Sequence, residues 1–280
     1  MKRSQRLAIR FFRTKLNMMA RWSPDLAAQS AFKLFGKPRG KRPKSNPPLF
    51  AAATQHALEV DSKRVAAYQW SKPGARRVLV LHGFDSSAQN FAAYIQALRQ
   101  KGLEVWALDA PAHGRSAGET ITLPLYAAAI AALEKAFGSF DGYMAHSFGG
   151  LAVMHHLEEQ PNTQERKVVL IAPATETVSA INLFFDFLQL SPAVRTAFDQ
   201  LIFQKAGVWP SHFSIPRTLQ QVQSSILWIH DRQDDITPYR DLAHLVEAPP
   251  PQVEFMITEG LGHRKIYRDP SVMQAVISFL

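Results

Sequence analysis

From residue 55 onward the chain alternates between two rhythms of apolar and polar positions. Short apolar runs bounded by turn residues are separated by segments whose apolar residues fall three and four apart. HALEV (56–60) and RVAAYQW (64–70), joined by Asp61-Ser62-Lys63, predict an antiparallel hairpin. RRVLVLHGF (76–84) is apolar on both faces, as a central parallel strand must be. A helix is expected over 88–100, a strand over LEVWALD (103–109), a helix over 122–137, a strand over 142–145 and a helix over 148–159. Strand KVVLIAP (167–173) follows. After an interruption come strand SILWIHD (225–231), helix 238–247, strand QVEFMI (252–257) and helix 270–280. This order predicts an α/β fold, a mostly parallel central sheet with helices on both faces.

The interruption, about residues 174–223, stands where one crossover helix is expected. It is too long for an ordinary connection, and Ile181, Phe184, Phe185, Phe198, Ile202 and Trp209 make it too apolar for a solvated loop. It predicts a helical cap over the sheet's C-terminal edge, most of its aromatics forming the cap's own core and a subset facing the cleft.

Upstream, MKRSQRLAIRFFRTKLNMMARW (1–22) has the period of a basic amphipathic helix. Lys2, Arg3, Arg6, Arg10, Arg13 and Arg21 fall on one side, and Leu7, Phe11, Phe12, Met18, Met19 and Trp22 on the other. No apolar stretch is long enough for a secretory signal, and the arginines exclude a membrane span. Two readings stand: a helix lying on a membrane surface, or one whose apolar face packs on its own domain. Ser23-Pro24-Asp25 reads as a cap before a second short helix (26–35), and GKPRGKRPKSNPP (36–48) as an exposed connector. The expected organisation is a basic extension over 1–48 and a folded body over 49–280 carrying the insertion.

Charge sharpens this division. The chain of 280 residues has a net charge of +9, yet residues 1–50 hold thirteen Lys/Arg against one acid, Asp25. The body is therefore close to neutral, and a nucleic-acid partner is not implied by the overall basicity. With no cysteine there is no disulfide framework, thiolate metal site or cysteine nucleophile, a composition compatible with a cytoplasmic chain.

The chemistry centres on GYMAHSFGGLAVMHHL (142–157). An apolar run leads through His146-Ser147-Phe148 directly into a helical pattern, with small residues, Ala145 and Gly149, two positions either side of Ser147. Strand, sharp turn and helix in this order place a serine hydroxyl at a helix N-terminus. This resembles the nucleophile elbow of the α/β-hydrolase superfamily, G-x-S-x-G, with alanine for the first glycine.

What the resemblance implies extends over residues 50–280. Ser147 would be the nucleophile. HDRQDDITP (230–238) is similar to the superfamily's acid turn; aligning Ile236-Thr237-Pro238 with its ending puts the acid at Asp234, with Asp235 second and Asp231 third. TEGLGHRKI (258–266) places His263, between two glycines and the last helix, where the general base stands. LHGFDSS (81–87) matches the His-Gly loop, so the backbone N–H groups of Phe84 and Phe148 would form the oxyanion hole. LDAPAHGRS (108–116) is similar to D-x-x-G-H-G-x-S, with Ala112 for a glycine; His82, Asp109 and His113 are expected to be scaffold. His155 and His156 are adjacent on one helix and face apart, which argues against a metal held by both.

The implied activity is a serine hydrolase, esterase- or lipase-like, cleaving a small-molecule ester or thioester with an apolar acyl or alkyl group. No cofactor or metal is implied. Two alternatives accompany it: a catalytically silent binding protein that kept the fold, and a membrane-surface lipase-like enzyme using residues 1–22.

Overall fold

Eight strands form one sheet among the described residues. They are β1 (Thr54–Val60), β2 (Lys63–Trp70), β3 (Arg77–Leu81), β4 (Glu104–Leu108), β5 (Gly142–His146), β6 (Lys167–Ile171), β7 (Ser225–Asp231) and β8 (Val253–Thr258). Their order is β1-β2-β4-β3-β5-β6-β7-β8. β1, β2 and β4 pair antiparallel; every later pairing is parallel. The computed structural model describes residues 3–40 and 45–280, and the first helix's side chains from Leu7 on. The side chains of Lys2, Arg3 and Arg6, assigned above to the basic face, and Lys41, Arg42, Pro43 and Lys44 of the connector lie outside what is described.

The helices are α1 (Arg3–Trp22), α2 (Pro24–Phe35), α3 (Pro48–Ala51), α4 (Ala92–Gln100), α5 (Leu123–Phe137) and α6 (Phe148–Leu157). They continue with α7 (Thr177–Leu188), α8 (Pro192–Ala206), α9 (Ile215–Thr218), α10 (Ala243–Glu247), α11 (Gly262–Lys265) and α12 (Pro270–Phe279). The chain divides into two compact units. One comprises residues 38–175 and 214–280 and contains the sheet. The other joins the N-terminal helices, up to Lys37, to residues 176–213.

In the sheet unit, β3, β4 and β5 are buried along almost their whole length, as two-sided apolar runs require. Val78, Val80, Val105, Ala107, Met144 and Val169 share a core with Tyr94 and Ile95 of α4 and Val272 and Val276 of α12. Successive strand residues face opposite ways. Trp106 accordingly meets Phe137 of α5 at a centroid distance of 4.9 Å, and Tyr143 hydrogen-bonds Glu134 of the same helix. Before the sheet, α3 seats Phe50 edge-on against Tyr68 and Trp70, each at 5.1 Å.

In the other unit, α2 starts as its sequence dictates: the Ser23 hydroxyl accepts the Leu26 N–H at 3.2 Å and Pro24 opens the first turn. Ala27, Ala28 and Ala31 are fully buried, which lets α2 lie close to α8. Phe32 packs tilted and Phe35 edge-on against Phe198 of α8, at 5.7 and 5.8 Å, and Phe35 meets Phe184 of α7 at 5.2 Å. The insertion is helical, and the apolar residues at its centre complete a core with helices that precede the sheet in sequence.

Several segments differ from their expected form. The 88–100 helix begins as a 3-10 turn over Ala88–Phe91. The expected helix 238–247 is broken into a 3-10 turn, Tyr239–Asp241, and the short α10. TEGLGHRKI (258–266), where Gly260 and Gly262 lead to the expectation of a tight loop with His263 at its tip, is helical from Gly262: α11 runs into a 3-10 turn over Ile266–Arg268.

Candidate active site

β5 ends at His146, and α6 begins at Phe148. A single residue, Ser147, reverses the chain between them, with φ 54° and ψ −124°. A non-glycine residue at positive φ is strained, and the strain is held by the surroundings. The Ser147 N–H donates to Ile171 O at 3.0 Å, and its carbonyl accepts from Gly150 N at 2.9 Å and Ala174 N at 3.1 Å. The neighbouring backbone is pressed close. A Cβ on Gly149 would stand 2.7 Å from the His82 carbonyl oxygen, and one on Gly83 would stand 2.7 Å from Ser147 Cβ. The glycines thus let the His82-Gly83-Phe84 loop and α6 converge on Ser147.

The structure brings Ser147, Asp234 and His263 together from three strand ends. His263 Nε2 lies 3.0 Å from Ser147 Oγ, and His263 Nδ1 lies 2.8 Å from Asp234 Oδ2. An ionised carboxylate only accepts, so Nδ1 carries the proton and Nε2 is the bare nitrogen that accepts the Ser147 O–H. All three residues are buried. His263 stands in the first turn of α11, where Gly262, at φ 57°, permits the tight entry.

The three aspartates of the acid turn separate by environment. Asp234 is buried, and its Oδ1 accepts the N–H groups of Ile236 and Thr237 at 2.9 and 2.8 Å. Burial raises its pKa, but the hydrogen bond and charge of His263, with those two N–H groups, outweigh it and hold the carboxyl below its ordinary value. Asp235 is exposed. Asp231 accepts from Thr258 Oγ1 at 2.8 Å and from Leu261 N at 3.0 Å, so it ties the acid turn to the segment that carries His263.

Thr237 is a site residue that the sequence reading did not single out. Its hydroxyl lies 2.9 Å from Asp234 Oδ2 and 3.1 Å from His263 Nδ1. The one signal was its place in the D-x-x-T-P ending. Behind the base, the buried His146 lies 3.3 Å from the His263 carbonyl oxygen through Nε2. Burial, then the charge of His263, lower its pKa to about 3, so it is neutral.

Phe148 opens α6, and the first N–H groups of a helix have no acceptor within it. The Phe84 backbone follows Gly83, which abuts Ser147. The rings of Phe84 and Phe148 lie 6.2 Å apart.

His82, Asp109 and His113 form a buried network beneath this loop. Ala110 N donates to His82 Nε2 at 3.0 Å, and Asp85 N to His113 Nε2 at 3.3 Å. Asp109 accepts from Tyr68 Oη at 2.8 Å and from the N–H groups of Ala88 and Arg115, each at 2.9 Å. Ala112, where the superfamily loop has glycine, adopts φ 66°. His155 and His156 turn to different carboxylates, Glu158 at 2.7 Å and Glu134 at 3.0 Å. A separate cavity of about 410 Å³ lies beside β1 and β2, lined by Gln55, His56, Arg64, Tyr68 and Arg115 among others, and none of Ser147, Asp234 or His263 borders it.

A mostly parallel sheet with a serine on a strained strand-to-helix turn and its partners on later strand ends is the arrangement of the α/β-hydrolase fold. Residues 72–205 match the family described as serine aminopeptidase, S33. No curated protein matches the chain in sequence. Among solved structures it is similar to an esterase of Pyrococcus furiosus, at 19% identity and TM-score 0.65 over 87% of this chain and 95% of that one. It is also similar to Est1E of Butyrivibrio proteoclasticus with bound ferulic acid, at 19% identity and TM-score 0.61, covering 80% of this chain and 97% of that one. A bacterial membrane phospholipase A aligns at 18% identity and TM-score 0.61, over 82% and 86% of the two chains. These likenesses establish the fold.

Proposed function

We propose that the protein is a serine hydrolase that cleaves a carboxylic ester or thioester through an acyl-enzyme. The observation that carries this is the continuous hydrogen-bonded chain Asp234–His263–Ser147 at a strained elbow. A binding protein has no use for such an arrangement. His263 Nε2 takes the Ser147 proton as Oγ attacks the carbonyl carbon, and Asp234 holds the ring in the required tautomer and stabilises the imidazolium. The N–H groups of Phe84 and Phe148 receive the tetrahedral oxyanion. His263 returns the proton to the leaving alcohol or thiol, and water, deprotonated by the same ring, releases the acid.

The acyl or alkyl group is apolar in this reading. The rings of Phe84 and Phe148, whose N–H groups are the proposed oxyanion donors, lie 6.2 Å apart, and Phe84 and Ile236 each leave more than a third of their surface exposed. The esterases of similar fold support an ester as the substrate. A fluorophosphonate probe followed by intact-mass and peptide mapping tests the first part. One adduct, on Ser147, absent from Ser147→Ala, is expected; a folded protein that takes no adduct overturns the proposal. A series of esters from acetyl to long-chain acyl tests the second, and kcat/KM that fails to rise with chain length would refute the apolar group.

A further inference from the structure

The basic helix α1 turns the wrong way for an ordinary surface helix. It is anchored on the α7–α8 connection: Arg13 Nε donates to Leu188 O at 3.1 Å, Asn17 Nδ2 to Gln189 O at 3.0 Å, and Ser191 N to Asn17 Oδ1 at 3.1 Å. Leu16, on this inward face, is its one buried large apolar residue among the described side chains. The larger apolar residues point out. Leu7, Phe11, Met18 and Trp22 are 59%, 61%, 58% and 92% exposed. Their spacing of four, seven and four residues sets them in one stripe, within about 60° around the helix axis. A globular helix would bury this stripe. Here it is opposite the packed face.

The charges flank it. At ~100° per residue, Arg10 and Arg21 border the stripe on one side and Lys15 on the other. The helix holds no acidic residue. No helix in the described residues is long and apolar enough to cross a membrane.

We infer that α1 is a membrane-surface anchor. Its Leu7-Phe11-Met18-Trp22 stripe enters the headgroup–acyl boundary of an anionic lipid layer while Arg10, Lys15 and Arg21 meet the lipid phosphates. An apolar stripe with cations on both borders matches this surface, where burial of the rings and attraction to anionic headgroups act together. Charge argues against the other occupant, a second copy of the chain, since pairing two such stripes face to face would bring like charges together. Nucleic acid would leave the stripe unburied. The inference is independent of the hydrolase reading: the anchor works whether or not Ser147 reacts.

The test is co-sedimentation of the full-length protein with vesicles of phosphatidylcholine alone and of phosphatidylcholine with phosphatidylglycerol, at low and at 0.5 M salt. Binding to the anionic vesicles, weakened by salt, is expected. Arg10→Gln, Lys15→Gln and Arg21→Gln should each reduce the partition coefficient roughly fivefold. Phe11→Ser with Trp22→Ser should reduce it at least tenfold. These positions are exposed, so unchanged circular dichroism and probe labelling will show that the variants fold. Wild-type protein left in the supernatant with anionic vesicles overturns the inference. So does undiminished binding of the serine variant, which would mean charge attraction without an inserted stripe. A wild-type dimer in sedimentation equilibrium that the serine variant converts to monomer, without vesicle binding, would give the stripe to a second copy.

Discussion

At the scale of single residues, the acid turn shows what a sequence withholds. DRQDD places three carboxylates within five positions, and the resemblance ranks them without separating their environments. Burial separates them. Asp234 is enclosed and hydrogen-bonded to His263, Asp235 faces solvent, and Asp231 braces the turn against Leu261 and Thr258. The three should therefore fail differently. Asp234→Asn should lower kcat by about 10³–10⁴ with KM little changed, because the imidazole loses the partner that fixes its tautomer. Asp235→Asn should be near wild type. Asp231→Asn should lower the unfolding temperature more than it lowers kcat. Parallel steady-state kinetics and thermal melts of the three variants check the assignment, and a silent Asp234→Asn beside an inactive Asp235→Asn would reverse it. Thr237 was less legible because its hydroxyl matters only once the turn folds back onto His263.

At the scale of elements, the periodicities wrote most of the sheet, since two-sided burial forces β3, β4 and β5 to be apolar throughout. The ends were less legible. The segment around His263 is helical because Gly262 opens it at positive φ and His-Arg-Lys-Ile can continue a helical turn, whereas the paired glycines suggested a loop. The elbow is an element-scale device, and Gly149 within it and Gly83 in the loop pressed against it do different work. Gly149→Ala sets a Cβ 2.7 Å from the His82 carbonyl and 3.1 Å from that of Leu81, backbone atoms that cannot swing aside. It should destabilise the protein by about 1–3 kcal/mol. Gly83→Ala instead meets Ser147 Cβ at 2.7 Å, so relief must move the loop that carries the Phe84 N–H. It should lower kcat about 10²-fold, the cost of a displaced oxyanion donor, with a smaller loss of stability. Urea unfolding and ester hydrolysis on both variants will resolve the two effects. Equal losses of both quantities in both variants would mean that the loop and α6 yield as one body.

Across the whole molecule, the sequence hid what depends on distant contacts. Nothing in the period of residues 1–35 says that α2 supplies Phe32 and Phe35 to a core with Phe184 and Phe198, some 150 positions later. The response to acid is likewise a property of the assembled fold. Burial lowers His82 to about 4; burial and then the charge of His82 lower His113 to about 4; His146 lies at about 3. Each is depressed below the ~6.5 of an unfolded histidine, so between that value and its folded pKa the unfolded chain binds more protons. Stability therefore falls as pH falls, by about 1.4 kcal/mol per pH unit for each histidine in that window. Asp234, also depressed, adds its loss only below about pH 4, where the unfolded carboxylate protonates. Asp109 acts in the opposite sense: burial raises its pKa above the unfolded value, so its contribution is present in acid and lost as pH rises through the folded pKa. One such group does not offset three histidines. The urea midpoint should drop steeply from pH 6.5 to 4.5 and vary little above pH 7.5, with a shallower acid limb in His113→Gln, which cannot titrate. A midpoint that stays level down to pH 5 would mean that these rings are already charged in the folded protein, and the packing around His82 and His146 would then have to hold buried cations.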